Sequence, residues 1–334
     1  AIVAAVRARG GILSLTDLEG YRVKDRAPLV GEYRGFTVTS MPPPSSGGVA
    51  LLEALNLLER RAPLAPLGHN SSRYLHLLAE ATKHAMADRA RHLGDPDFVK
   101  VPVETLVSKR YAASLASKLG ERTLKAEQYG SRAPLVDPPR DRGTSHVSVV
   151  DREGSAVAMT TTINLPFGAL LVAGASGVIL NNQMDDFAAR PGEPNAFGLT
   201  QGEQNAVAPG KRPLSSMTPT IVTRRGDGGL VLVAGASGGP TIITGTLQGI
   251  LNVVEFGLDA NAAVGRARIH HQWLPDELWV EAELPDDVTA ALRGRGHRLH
   301  LQAAPFTAVQ VVVVRDGQLY PASDPRKVGD AAGF

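Results

Sequence analysis

The residue pattern changes period near residue 143, and that switch constrains the fold more than any other feature of the chain. Upstream, Leu75, Leu78, Ala79, Thr82 and Met86 recur at helical spacing. Downstream, alternation takes over, and residues 146–150 and 155–162 predict a hairpin around Asp151-Arg152-Glu153-Gly154. Residues 221–224 and 230–234 predict a second around Gly226-Asp227-Gly228. Residues 308–315 and 318–320 predict a third around Asp316-Gly317. A long apolar helix is expected over 240–256. Hairpins interleaved with long helices indicate an α+β fold in which helices cover antiparallel sheets.

The upstream part is richer in helix. Residues 1–20 read as helical, with a turn at Gly20. Residues 34–41 read as a strand that stops at three prolines. Ser45 or Ser46 is suited to cap the next helix, which carries Val49, Leu51, Leu52, Leu55, Leu57 and Leu58. Another helix is expected from Ser71 or Ser72 to about Leu93, and a third over 104–119. Residues 126–142 are polar and proline-containing and read as an exposed, mobile linker. There are no internal repeats or low-complexity segments.

Composition excludes several function classes. The chain has 334 residues, 43% of them hydrophobic, enough for a large core. Thirty-five basic residues against 33 acidic ones leave no broad basic surface for nucleic acid. No apolar run approaches the ~18 residues of a membrane span. With no cysteine there are no disulfides and no thiolate metal sites. The N-terminus does not begin with Met and shows no signal-peptide pattern.

The candidate chemistry sits at the period switch, in Asp141-Arg142-Gly143-Thr144-Ser145-His146-Val147-Ser148. A mid-chain hydroxyl is a weak nucleophile. If the Gly143–Thr144 bond is cut, Thr144 gains an α-amine with an ordinary pKa near ~8. That amine can then take the proton of its own Oγ. Gly143 has no side chain to obstruct attack on its carbonyl and tolerates strained backbone.

The motifs on either side resemble one family in order. Thr144 to Asp151 is similar to the start of the small subunit of γ-glutamyltranspeptidases. So are Asn181-Asn182-Gln183-Met184-Asp185-Asp186-Phe187, Lys211-Arg212-Pro213-Leu214-Ser215-Ser216-Met217, Ser237-Gly238-Gly239 and His270-His271-Gln272-Trp273-Leu274-Pro275. Upstream, Met41-Pro42-Pro43-Pro44-Ser45-Ser46-Gly47-Gly48 and Leu93-Gly94-Asp95-Pro96-Asp97-Phe98 resemble the end of the large subunit. The resemblance implies the αββα sandwich of the N-terminal nucleophile hydrolases. Residues 1–143 would be the C-terminal portion of a large subunit and 144–334 a small subunit. The N-terminal part of the large subunit, with an export signal and the arginine that anchors the substrate, would lie upstream. A periplasmic or extracellular location is expected by analogy.

The resemblance also assigns roles. Thr144 would be nucleophile, both for self-cleavage after Gly143 and for turnover. Thr162 and Asn164 would orient it and bind the ends of the substrate. Asp186 would face the substrate ammonium, a natural partner for a fixed carboxylate, and Gln183 of the same loop would also bind substrate. Ser215 and Ser216 would bind its α-carboxylate. Gly238 and Gly239 would supply N–H donors to an oxyanion. Phe197 would cap a lid over the substrate where relatives often carry a tyrosine. Partners would be glutathione or other γ-glutamyl compounds and amino acid or peptide acceptors, with no metal or organic cofactor.

Rival readings remain. Gly235-Ala236-Ser237-Gly238-Gly239 fits a nucleophile elbow, followed by Asp276 and by His297 or His300. His270-His271 could be metal ligands, although adjacent residues on one strand point opposite ways. The chain could also be a related acylase of the same superfamily, or an inactive, truncated scaffold.

Overall fold

A computed structural model describes residues 1–61, 63–129, 143–302 and 306–333. Helices α1 (Ile2–Arg7) and α2 (Leu15–Gly20) come first, followed by strands β1 (Leu29–Tyr33) and β2 (Phe36–Ser40). Helices α3 (Gly47–Glu59), α4 (Ser72–His92), α5 (Val103–Leu106) and α6 (Lys109–Leu115) follow. The second half opens with β3 (Thr144–Val150) and β4 (Ala156–Thr162), then β5 (Thr220–Arg224) and β6 (Leu230–Ser237). Next are α7 (Thr241–Val254), α8 (Ala260–Gly265), β7 (Ile269–His270), β8 (Leu278–Glu281) and α9 (Asp286–Gly294). Strands β9 (Leu299–Gln302), β10 (Ala308–Arg315) and β11 (Gln318–Ser323) end the series.

The main sheet runs β1-β2-β5-β6-β10-β11, antiparallel throughout. It joins the two sides of the Gly143–Thr144 junction, because β2 pairs with β5 from Phe36↔Arg224 to Ser40↔Thr220. Alternation along its central strands sorts the two faces. Leu232, Ala234 and Ala236 of β6 and Val309, Val311 and Val313 of β10 pack into one core with Ile243, Leu247 and Ile250 of α7. The leucines of α3 belong to the same core. On the other face, a Cβ on Gly235 would fall inside the His146 ring. Glycine at 235 therefore lets the β3–β4 hairpin lie close against β6. His146 is held neutral there: burial pushes its pKa down to about 4. Its ring nitrogens meet Thr160 Oγ1 at 2.7 Å and Ser148 Oγ at 3.1 Å. Helices, the six-stranded sheet and a two-stranded second sheet thus form layers, an α+β arrangement with sheet packed on sheet; a third sheet, β7-β8-β9, has β8 and β9 parallel where only antiparallel sheets were expected.

Several expectations need correction. The helix expected over 1–20 breaks at Gly10, which has φ 81°. The helix expected over 104–119 is broken into α5, α6 and a short 3-10 turn, Ala116–Lys118. Of the two serines expected to cap α3, Ser45 Oγ accepts from Gly47 N–H at 3.3 Å, whereas the Ser46 hydroxyl donates to Ser215 O at 2.6 Å. Residues 126–129 are not a loose lead-in. Ala126 and Tyr129 are buried, and Trp273 Nε1–H donates to Ala126 O at 3.0 Å. Residues 130–142 of the expected linker lie outside the described residues.

Candidate active site

Thr144 opens β3 directly opposite Thr162, the last residue of β4. That register brings the hydroxyls Thr144 Oγ1 and Thr162 Oγ1 to 2.9 Å. Thr162 Oγ1 also accepts from Asn164 N–H at 2.8 Å. Its own proton can therefore go toward Gly143 O, 3.5 Å away. The Ile163 N–H donates to the same carbonyl at 3.2 Å. The carbonyl before Thr144 thus has two donors, as an oxyanion formed there would need. A Cβ on Gly143 would collide with the carbonyls of Asn164 and Leu165. Only glycine fits before Thr144 without displacing that turn.

A small cleft opens above this pair. Thr144, Thr162, Asn164, Asp186, Ser215, Ser216 and Gly239 line it, with Phe197 and Leu199 on the apolar side. Phe197 is buried and belongs to the main core. The free volume is about 20 Å³, near that of one water. Asn164 turns the corner with φ 77°, a left-handed conformation that Asn tolerates, and its Nδ2 donates to Asn182 O at 3.1 Å.

The two aspartates of the 181–187 loop part company. Asp185 is exposed and accepts from Asn182 Nδ2 at 2.7 Å. Asp186 is a cleft wall. Its backbone carbonyl accepts from Asn205 Nδ2 at 2.8 Å, Gln201 Nε2 at 3.1 Å and Asn195 Nδ2 at 3.4 Å. Three amides thus fix the backbone from which its carboxylate projects. Gln183 starts the same 3-10 turn but is not among the residues that line the cleft.

The serine wall is built from both sides of the Gly143–Thr144 junction. Ser45 and Ser215 form a parallel bridge, and Ser45 Oγ donates to Met217 O at 2.6 Å. Ser216 Oγ accepts from Arg89 Nη2 at 3.3 Å. Arg89 also reaches Ser46 Oγ at 2.9 Å and Gln201 Oε1 at 3.4 Å. It is buried, and desolvation lowers its pKa to about 10 while the charge of Asp186 opposes that shift. Sequence reasoning found no arginine for this site. The available signal was phase: Arg89 continues the stripe of Leu75, Leu78, Thr82 and Met86, so a charge lies on the buried face of α4.

Gly238 and Gly239 turn the chain from β6 into α7 with φ values of 140° and 58°. A Cβ on Gly238 would meet Thr241 Oγ1 and Phe306 O, so the turn demands glycine. The Gly238 carbonyl accepts from Thr241 N–H at 3.2 Å, whereas neither glycine N–H has a protein acceptor among the described residues. Gly239 lines the cleft, and Gly238 is not among its lining residues. Lys327, which sequence reasoning also missed, donates to Thr144 O and approaches Ser237 Oγ at 3.4 Å.

The rival sites do not assemble. Ser237 Oγ has Lys327 as its neighbour, while His297 Nε2 meets His76 Nδ1 at 2.8 Å in a different cavity. Asp276 pairs with Lys83 at 3.1 Å and His271 at 3.3 Å. His300 faces Glu277. His270 is buried and bonded to Thr244 and Gln272, and His271 Nδ1 accepts from Trp273 N–H, so neither offers a free ligand pair.

Comparison with known proteins shows the family of the chain. The family model for γ-glutamyltranspeptidase matches residues 1–334. A glutathione hydrolase proenzyme of Escherichia coli is 46% identical over the whole chain, which spans 57% of that protein. A glutathione hydrolase proenzyme of a Pseudomonas species is 41% identical, with 59% of its length matched. Among solved structures, cephalosporin acylase from Bacillus halodurans superposes with a TM-score of 0.82 at 25% identity, over 98% of this chain and 57% of that one. A γ-glutamyltranspeptidase chain from Pseudomonas nitroreducens, complexed with L-DON, superposes with a TM-score of 0.54 at 42% identity. That match covers 57% of this chain and 98% of the other. The chain therefore spans a little over half the length of the relatives it matches, and it belongs to the γ-glutamyltranspeptidase family.

Proposed function

We propose that Thr144 is the nucleophile of a γ-glutamyl transferase and hydrolase, released by cleavage of the Gly143–Thr144 bond. Residues 1–143 are then the end of the large subunit and 144–334 the small subunit. The observation that carries this reading is the hydroxyl pair Thr144–Thr162 under a carbonyl that already has two donors. The share of this chain matched by the Pseudomonas nitroreducens chain, 57%, is the share that follows Gly143.

In the first step Thr144 Oγ attacks the Gly143 carbonyl carbon. The C–N bond breaks, the amine takes a proton, and water opens the resulting ester. In turnover the freed α-amine accepts the Oγ proton, and Oγ attacks the γ-carbonyl of glutathione or a related amide. Gly238 and Gly239 N–H groups stabilise the oxyanion, a contribution of ~10²–10³ in rate per donor. The leaving amine carries away the proton. Water then releases glutamate, or an acceptor amine takes the acyl group. Asp186 opposes the substrate ammonium and Ser215 and Ser216 its α-carboxylate. None of these steps calls on a metal or organic cofactor. Among the described residues no helix is long and apolar enough to cross a membrane.

The decisive test is intact mass after incubation at neutral pH, followed by a γ-glutamyl anilide assay. Two pieces meeting between Gly143 and Thr144, with anilide turnover, are expected. One uncut mass with no turnover counts against the reading and favours an inert scaffold. Asp186→Asn should raise KM for the anilide about 10- to 100-fold, the loss of one charge-assisted contact. An unchanged KM removes Asp186 from the ammonium site and reopens the related-acylase reading.

A further inference from the structure

The most spacious cavity of those described lies away from Thr144. It holds about 340 Å³ and shares no lining residue with the active cleft. Arg60, Arg61, Arg73 and Arg295 line it, with Glu121 as its one carboxylate and the buried His76 in its wall. Four guanidiniums against one carboxylate is a larger positive excess than the whole chain carries, which is +2.

The arginines differ in how they are held. Arg295 Nη1 donates to Glu121 O at 2.8 Å and to its carboxylate at 2.7 Å. Arg61 Nη2 is tied to Leu119 O. These two forks are set in place by backbone. The Arg60 and Arg73 side chains make no hydrogen bond or ion pair among the described residues. Arg60 and Arg61 follow the C-terminus of α3, where a helix dipole favours cations. Arg73 has no such support. It sits in the first turn of α4, a helix of 21 residues with no acidic residue in that turn. The dipole disfavours a cation there and favours an anion. Glu121 feels both Arg295 and Arg73, which hold its carboxyl below the usual range. One carboxylate thus answers two guanidiniums, and two more remain.

We propose that this cavity binds a compact polyanion, a small molecule carrying two or more phosphate or carboxylate groups. Arginine forks suit both groups, since each presents paired oxygens to paired N–H donors. The volume lies within the range of small-molecule sites.

Isothermal titration with tripolyphosphate and with citrate, at a fixed ~0.15 M salt to screen loose attraction, tests the site. One-site saturation is expected with at least one probe. Tripolyphosphate alone would assign phosphate, and citrate would assign a polycarboxylate. Combining Arg60→Ser with Arg73→Ser should weaken binding at least about tenfold. Both residues are exposed, and each single variant repeats the test should the double variant fail to fold. Arg152→Ser, at an exposed distant arginine, should leave binding unchanged. No saturable binding of either probe, or equal weakening by Arg152→Ser, overturns the proposal. Binding is read without turnover, so the result stands apart from the chemistry at Thr144.

Discussion

Thr144→Ala should leave the chain uncut and lower γ-glutamyl turnover by at least ~10³-fold, the scale on which a nucleophile's removal is felt. Both losses follow from one atom. Thr144 Oγ1 is the hydroxyl set against Thr162 at 2.9 Å, and without cleavage no α-amine exists to take its proton. Thr144→Ser keeps the oxygen and should be cut, though more slowly, because serine lacks the methyl that fixes χ1. Ser237→Ala separates this reading from the elbow reading. Ser237 is buried beside Lys327 with no histidine recorded against its hydroxyl, so its loss should leave cleavage in place. Intact mass and the anilide assay check all three. A Thr144→Ala chain that still splits at 143–144, or an inert Ser237→Ala chain beside an active Thr144→Ala chain, would overturn the assignment.

What could be read from the sequence follows from how local each signal is. The hairpins β3–β4, β5–β6 and β10–β11 and the helices α3, α4 and α7 each carry their own period and punctuation, and they stand within a few residues of the expected bounds. Strand β7 has two residues and β8 and β9 four each, too few for alternation to register. Strand β1 exists because β2 offers an edge to pair with, a fact stored in no single window. The same division holds at the site. Thr144 and Thr162 fall opposite one another by hairpin register, which sequence determines. Asp186 and Asp185 are indistinguishable as residues and only the resemblance chose Asp186; in the structure the cradle of Asn195, Gln201 and Asn205 separates them. Ser46 looked like a cap because the serine type suits one. Tertiary contact with Ser215 takes its hydroxyl instead.

Arg89→Met should raise KM for a γ-glutamyl anilide about tenfold or more while changing kcat less. The argument rests on a buried charge. Arg89 is buried and remains cationic at neutral pH with a pKa near 10, and the charge of Asp186 acts on it. Its hydrogen bonds go to neutral oxygens of Ser46, Gln201 and Ser216. A buried cation bonded mainly to neutral oxygens is costly, and a further counter-charge lowers that cost. On the proposed reading the substrate α-carboxylate arrives beside Ser216, and the guanidinium acts on it through that hydroxyl. Hydrogen bonds to charged groups are worth ~1.5–3 kcal/mol, which is about tenfold to a hundredfold in binding. Removing the charge also removes the cost, so the melting temperature without ligand should fall little. A merely structural arginine would behave oppositely, with a large drop in melting temperature and an unchanged KM. Arg89→Lys keeps the charge but loses the fork that spans Ser46 and Ser216, and its KM should fall between wild type and Arg89→Met. An anilide lacking the α-carboxylate should bind wild type and Arg89→Met alike; a difference there would move Arg89 out of the carboxylate end of the cleft.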